Sequence, residues 1–202
     1  MKSKLIFLVV FALFVQIANA QVFGIKGGLN DANMSFSSNG ISISPKAIIG
    51  FHFGPVAEFE LNDNISFNTG LLYSLKGFKM NASTLGFSTE STEKINYLEI
   101  PLNVAYKHPI DEKIKIFGQI GSYLAYALSG KDKTDGTTTD ITFGSGGMKR
   151  FDLGLGIGAG VEFGPIVAGL GYQFGLANLA DSSDGKVKNK VLQISVAYMF
   201  RK

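Results

Sequence analysis

The sequence predicts an all-β protein, an eight-stranded antiparallel up-and-down β-barrel. Three observations predict this fold. Apolar and polar residues alternate with period two through much of the chain, as in strands that have one apolar face. Glycine, 25 of 202 residues, is spread through the apolar segments at a density that helices do not tolerate. Short turns and long polar connections follow one another in strict alternation, as in a meander of hairpins.

The first twenty residues have the organisation of a secretory signal peptide. Lys2 and Lys4 precede an apolar stretch, and an Ala-x-Ala motif ends at Ala20, directly before Gln21. A positive start, a short apolar run and small residues at a cleavage site are the three parts of such a signal. We therefore expect export and cleavage between Ala20 and Gln21. This divides the chain into a signal peptide, residues 1–20, and one barrel domain, residues 21–202.

The alternation is clearest in the last three predicted strands. From Phe151 to Phe163, large apolar residues occupy one face, and glycines occupy the other face between Asp152 and Glu162. The next two strands repeat this arrangement, and the five earlier strands alternate less regularly in the same sense. In chain order, the pattern places the eight strands near 22–30, 48–61, 65–79, 93–107, 114–128, 149–163, 166–178 and 190–200.

The second, third and fourth strands each present one face of large apolar side chains. Their other faces carry polar residues and glycine, for example His52 and Gly54 in the second strand. This division between faces is typical of strands whose two sides meet different surroundings. The three apolar faces are Phe51, Phe53, Ala57 and Phe59; Ile65, Phe67, Leu71, Tyr73 and Leu75; and Leu98, Ile100, Leu102, Val104 and Tyr106.

Two prolines fall inside these predicted strands. Pro55 lies in the second strand and Pro101 in the fourth. Proline cannot donate a ladder hydrogen bond, and a closed barrel has no edge strand that could accommodate it. We therefore expect a bulge, or an earlier strand end, at each of these positions.

The apolar face of the barrel is expected to point outwards, into lipid. Glycine weakens strands and would cover the outside of a soluble barrel poorly, whereas inside a narrow barrel it makes room for large polar neighbours. Aromatic residues also cluster near both ends of the strands, as in the two interfacial girdles of a membrane barrel. These features predict a transmembrane barrel in an outer membrane, with short periplasmic turns and long extracellular loops.

An inward polar face predicts a network of paired charges in the lumen. Charges buried without partners would be costly, so these side chains are expected to compensate one another and to fill the lumen. The network that we predict is structural and consists of Lys26, His52, Glu58, Glu60, Lys76, Glu99, Arg150, Asp152, Glu162, Gln173 and Gln193.

The sequence predicts no catalytic residue, no metal site and no cofactor. It has no cysteine and only two histidines, His52 and His108, which excludes thiolate chemistry and disfavours a multi-histidine metal site. The glycines of the sixth strand are not followed by a helix, as a phosphate loop requires. No strongly basic segment is present, so nucleic acid is not an expected partner. A lipid-modifying barrel enzyme stays open, and His52 would be its base.

Four segments of the chain resemble the PorT-like family of small outer-membrane β-barrel proteins. They are Gly24–Asn30, Gly70–Gly77, the distinctive Tyr97–Leu102 segment Tyr-Leu-Glu-Ile-Pro-Leu, and Asp152–Glu162. The resemblance implies an outer-membrane barrel that the barrel-assembly machinery inserts, and it implies no single activity, although some relatives assist secretion. Such barrels usually end in an aromatic residue, whereas here Phe200 is followed by two basic residues.

The expected function is a structural or interaction role in the outer membrane, through the long loops. Lipid surrounds the barrel, and a protein partner would bind the loops. The alternatives are a narrow channel, a secretion-accessory barrel, and a secreted soluble lipocalin-like barrel with its apolar face around a ligand. The four loops are 31–47, 80–92, 129–148 and 179–189.

Overall fold

The computed structural model describes residues 21–38, 41–43, 45–84, 87–144, 147–181 and 185–201. The predicted signal peptide lies outside these residues. No helix in the described ranges is long and apolar enough to cross a membrane. The strands are β1 (Gln21–Ser38), β2 (Ile41–Ile43), β3 (Ile48–Glu60), β4 (Ile65–Gly70), β5 (Leu72–Thr84), β6 (Phe87–Pro109), β7 (Ile114–Thr134), β8 (Thr137–Asp140), β9 (Phe151–Phe163), β10 (Ile166–Gly175) and β11 (Lys186–Met199).

These strands close into a ring of eight. Strand β1 pairs with β3 on one side and with β11 on the other, so the first and last strands of the barrel meet. Strands β4 and β5 follow each other along one stretch of chain and form the third strand of the ring, between β3 and β6. The ring continues through β7, β9, β10 and β11, with every pair antiparallel. The eight predicted strands are therefore confirmed, and closure leaves the barrel wall without an edge.

The strands extend much further into the long-loop end than the sequence predicts. Strands β5 and β6 remain paired out to Thr84 and Phe87, across most of the predicted 80–92 loop. Strand β7 reaches Thr134 and turns directly into β8. Residues on both faces are polar here, so the alternation that marks a strand disappears although backbone pairing continues. Polar composition alone therefore predicts loops in segments where the backbone forms paired strands.

A two-residue turn connects β7 to β8. Its residues, Asp135 and Gly136, have φ angles of 47° and 87°. Two central residues with positive φ match the twist of the flanking strands, and Asp-Gly is a preferred sequence for such hairpins. This dipeptide was the available sequence signal for the hairpin, inside the segment predicted as a loop over 129–148.

Neither proline produces the expected bulge or early strand end. Strand β3 continues through Pro55 and β6 through Pro101, and the register shift of the β6–β7 pair lies between Asn96 and Tyr97. The interruption next to Pro55 falls on the neighbouring strand, at Leu71 between β4 and β5. The Leu71 N–H donates to the Pro55 carbonyl at 3.0 Å. Because Pro55 has no N–H to return this bond, the ladder lapses there without changing register.

The barrel has an apolar outside and a polar inside. Ile25, Ile120 and Leu170 are 59%, 65% and 58% exposed, whereas Lys76 and Asp152 are completely buried. Exposed aromatics lie at both ends, as predicted for two girdles: Tyr106, Phe163, Tyr198 and Phe200 at the short-turn end, and Phe51, Tyr126, Phe151 and Phe174 at the long-loop end. This arrangement suits lipid around the wall and does not favour the alternative of a soluble barrel with an apolar interior.

An apolar cap fills the mouth of the barrel at the long-loop end. Phe78, Ile95 and Leu179 are buried there, and partly buried residues of the 141–150 connection, including Phe143 and Met148, pack against them. The sequence did not predict this cap, since its members come from distant segments that lack a shared pattern.

The raised pKa of Glu93 should make the stability of the sheet at the long-loop end depend on pH. It lies opposite Asp132 in the β6–β7 ladder, and burial together with the charge of Asp132 raises the pKa of Glu93 to about 7. A carboxyl group with a raised folded-state pKa stabilises the fold while it is protonated. Its contribution is complete below the ordinary value of 4.5 and is lost as the pH rises through about 7.

We therefore expect backbone amides near Glu93 to exchange hydrogen faster at about pH 8 than at about pH 5, after correction for intrinsic rates. Glu93→Gln should remove most of this difference. Glu90→Gln, at an exposed site in the same sheet, is the matched control and should preserve it. An unchanged pH difference in Glu93→Gln would assign the effect to another group.

Candidate functional site in the barrel lumen

The first polar layer of the lumen, below the apolar cap, is built around Lys76. The Lys76 ammonium lies 2.7 Å from Glu99 Oε2 and donates to Gln173 Oε1 at 3.1 Å. Gln173 Nε2 in turn donates to Glu99 Oε1 at 2.7 Å. Since Lys76 and Glu99 come from the neighbouring strands β5 and β6 and Gln173 comes from β10, this triad crosses the lumen.

Two tyrosine rings complete the surroundings of the Lys76 charge. The ammonium lies 4.2 Å from the ring centroid of Tyr123 and 5.5 Å from that of Tyr97. Both distances allow a cation–π attraction. Tyr123 also donates to Asp152 Oδ2 at 3.0 Å, and Asn189 Nδ2 donates to the same oxygen at 2.8 Å. Asp152 is therefore held by neutral donors from β7 and β11.

His52 belongs to a second group of hydrogen bonds in this layer. Its Nδ1 lies 2.8 Å from Asn30 Oδ1, and Asn30 Nδ2 donates to Ser74 Oγ at 3.1 Å. Gln193 Nε2 donates to Asn30 Oδ1 at 3.3 Å. Because Asn30 Oδ1 can only accept, His52 carries its proton on Nδ1. The group links β1, β3, β5 and β11, and it gives His52 an amide partner rather than a nucleophilic hydroxyl.

A second polar layer closes the short-turn end. Lys107 Nζ lies 2.7 Å from both carboxylate oxygens of Glu58 and 2.7 Å from Glu162 Oε2. Arg201 donates to Glu162, and its second guanidinium nitrogen lies 3.2 Å from Glu58 Oε1. Two cations and two carboxylates from four segments of the chain thus compensate one another.

Of the eleven predicted lumen residues, eight occupy these two layers, Lys26 lies in the lumen between them, and two lie past the ends of the lumen. Glu60 is exposed at the short-turn end, one step beyond Glu58 on the same face of β3. Arg150 lies at the cap, where it donates to the Ala127 carbonyl at 2.8 Å and stacks over Phe143 at 4.4 Å. Each residue lies an even number of positions from an inward-facing residue of the same segment, so the sequence pattern assigns both to the inner face. In the structure, however, they lie past the ends of the lumen. The structure places the other nine in the lumen: Lys26, His52, Glu58, Lys76, Glu99, Asp152, Glu162, Gln173 and Gln193.

Sequence reasoning missed two members of the lower layer. Lys107 has the inward parity of Glu99 on the same strand, so alternation alone could have identified it. Arg201 follows the last strand, where the sequence shows only a departure from the usual aromatic ending. The Phe200 N–H bonds the Phe23 carbonyl at 2.7 Å, so pairing continues past Met199 and carries Arg201 to the lumen end. No sequence signal specified this role.

A closed antiparallel ring with an apolar outside and a polar lumen defines an integral membrane β-barrel. The chain belongs to the family described as the outer membrane protein beta-barrel domain, whose model matches residues 16–181. The protein is accordingly an outer-membrane β-barrel protein. No curated protein matches the chain.

Several solved structures of outer-membrane proteins are similar to this chain. Ail of Yersinia pestis, solved with the heparin analogue sucrose octasulfate, is 17% identical, with 89% of this chain and 99% of that chain covered and a TM-score of 0.42. Neisserial surface protein A is 16% identical, with coverages of 88% and 97% and a TM-score of 0.48. OprG of Pseudomonas aeruginosa is 13% identical, with coverages of 91% and 97% and a TM-score of 0.49.

Removing the Lys76 charge alone should destabilise the barrel strongly, and removing the Glu99 charge as well should restore most of the lost stability. Lys76→Met leaves Glu99 buried without its cation and should lower the free energy of unfolding by about 3–5 kcal/mol. The double variant Lys76→Met, Glu99→Gln removes both charges and should recover most of this loss. Urea unfolding in lipid vesicles measures both changes, and Lys94→Met, at an exposed position, is the control. A loss below about 1 kcal/mol in Lys76→Met would contradict the assigned geometry.

Proposed function

We propose that this outer-membrane barrel is an interaction protein that presents an extracellular β-sheet to a protein partner and does not conduct. The observation that carries the proposal is the continuation of paired strands beyond the aromatic girdle. Strands β5, β6, β7 and β8 form one sheet there, and β8 is its last member. Ordered strands in this position are a rigid scaffold for recognition, unlike a set of mobile loops.

The outer side of β8 is suited to accept another strand. All four residues of β8, Thr137–Asp140, are exposed, and β7 is its pairing partner in the described part of the chain. In a two-residue hairpin the residues next to the turn form the hydrogen-bonded pair, so Thr137 bonds Thr134. The Thr138 N–H then points away from β7. An extended segment of a partner could add to this edge through main-chain hydrogen bonds.

The side chains that fill the lumen support the proposal that the barrel does not conduct ions. The apolar cap, the Lys76 triad and the Lys107 cluster lie at three successive levels, and each is made of buried side chains in contact. An eight-stranded barrel is narrow enough for side chains to fill it. These contacts favour an interaction role over the alternative of a narrow channel.

A secretion-accessory role is the second candidate. Its support is the resemblance of Tyr97–Leu102 and the three other segments to PorT-like barrels. In that case the partner of the extracellular sheet, or of the periplasmic end, would be a component of a secretion assembly. An interaction surface is common to both candidates, so the identity of the partner separates them.

Substitution at Thr138 tests the edge directly. Thr138→Pro removes the outward N–H and should leave the β7–β8 ladder intact, whereas Thr138→Val keeps the N–H and is the matched control. The partner is first identified in cells by a photo-crosslinking residue at position 139. We expect Thr138→Pro to weaken its binding at least tenfold, or about 1.4 kcal/mol, and Thr138→Val to leave it unchanged.

Two results would overturn the proposal. One is equal binding of the partner by Thr138→Pro and by the unaltered protein. The other is discrete conductance steps from the purified protein in a planar bilayer, which would make the lumen functional. A crosslinked secretion component whose binding depends on Thr138 would select the second candidate.

A further inference from the structure

Between the two polar layers the lumen contains a chamber. The cavity measures about 100 Å³ and is lined by Lys26, Asn103, Gln119, Gln193 and Ser195, with Glu58 and Lys107 of the lower layer also in its wall. A cavity of roughly 10–15 Å³ by the same measure can hold one water molecule, so the chamber has room for several groups of that size. Its walls offer polar side chains from β1, β6, β7 and β11.

Lys26 is the unbalanced charge of this chamber. Among the described residues, no carboxylate oxygen lies within 4.0 Å of its ammonium group, and it forms no hydrogen bond. The carboxylates of the adjoining layers are engaged, since Glu99 binds Lys76 and both Glu58 and Glu162 bind Lys107. An ammonium group removed from bulk water without a partner is costly, so a bound counter-charge would stabilise the charged form of Lys26.

Polar groups around the chamber also lack protein partners. The side chains of Asn103, Gln119 and Ser195 form no hydrogen bond with any part of the chain that the structure describes. These three side chains are partly buried and border the chamber, so their donors are available to water or to a ligand inside it. The amide and hydroxyl groups can donate to an anion that the ammonium attracts.

One glycine keeps this space open. A Cβ atom at Gly171 would meet only ordinary contacts, 3.6 Å from the Ile157 carbonyl oxygen and 3.9 Å from Gln193 Oε1. Glycine is therefore not required at this position by a close backbone approach. It leaves volume in the chamber wall that a methyl group would fill.

We propose that this chamber is a binding site for a small monovalent anion, a halide or a short carboxylate, held by the Lys26 ammonium and by donors of the surrounding amide and hydroxyl side chains. The site lies within the lumen and does not depend on the extracellular partner. Its volume fits an ion of one or a few heavy atoms, and its net positive lining selects against cations.

Bromide is the probe for this site. The detergent-solubilised protein is refolded and crystallised in sodium bromide, and anomalous diffraction locates the ion. We expect a peak within hydrogen-bonding distance of Lys26 Nζ in the unaltered protein and in Lys94→Met, and no peak in Lys26→Met. A second variant, Gly171→Ala, retains the charge and should weaken or displace the peak by narrowing the chamber.

A solution measurement checks the same site independently of crystals. A ligand that binds only the folded state stabilises it by mass action. Raising the bromide concentration at constant ionic strength, with a bulky anion as replacement, should raise the urea midpoint of the unaltered protein and leave that of Lys26→Met unchanged. Water alone in the chamber, or equal bromide effects on both proteins, would overturn the proposal.

Discussion

The contact between Lys76, Glu99 and Gln173 fixes the arrangement of the polar side chains inside this barrel, because it joins strands on opposite sides of the lumen. Charged side chains on the outer wall would face lipid, which is costly. The charges of the eight membrane-spanning strands therefore point into one narrow lumen. A charge in the lumen is costly unless it finds a partner on another strand. The triad meets this requirement across the lumen, and the Lys107 cluster meets it at the short-turn end. The side chains that satisfy this constraint also link opposite walls of the barrel.

The same division between wall and lumen separates the functional regions of the molecule. The lumen provides stability and, through Lys26, one unbalanced cation beside a chamber. The sheet at the long-loop end provides accessible backbone at β8, supported by strands that continue the barrel wall without a break. The recognition surface that we propose on β5–β8 can therefore vary while the buried layers stay constant. The physical demands on the two regions are different, since one requires charge balance and the other requires exposed donors.

Alternation in the sequence was sufficient to predict the ring and the orientation of its faces. Glycines opposite leucine and isoleucine in β9 indicated which face was inside, and parity then placed Glu99 and Asp152 in the lumen. Parity could not show where the lumen ends, which is why Glu60 and Arg150 were assigned to a network that they do not join. It also could not reveal Arg201, whose position depends on pairing after Met199. The extended hairpins were missed because strands that are polar on both faces have no amphipathic pattern, although Asp135-Gly136 marked one of their turns.

Mobility on a semi-native gel, for boiled and unboiled samples of the outer-membrane fraction, tests the central claim most directly. A closed barrel whose strands are hydrogen-bonded to one another around the whole ring resists detergent until it is heated. The account predicts that the protein is extracted only with detergent and shifts in mobility on boiling. Recovery as a water-soluble protein without a shift would contradict an inserted barrel with its apolar face in lipid.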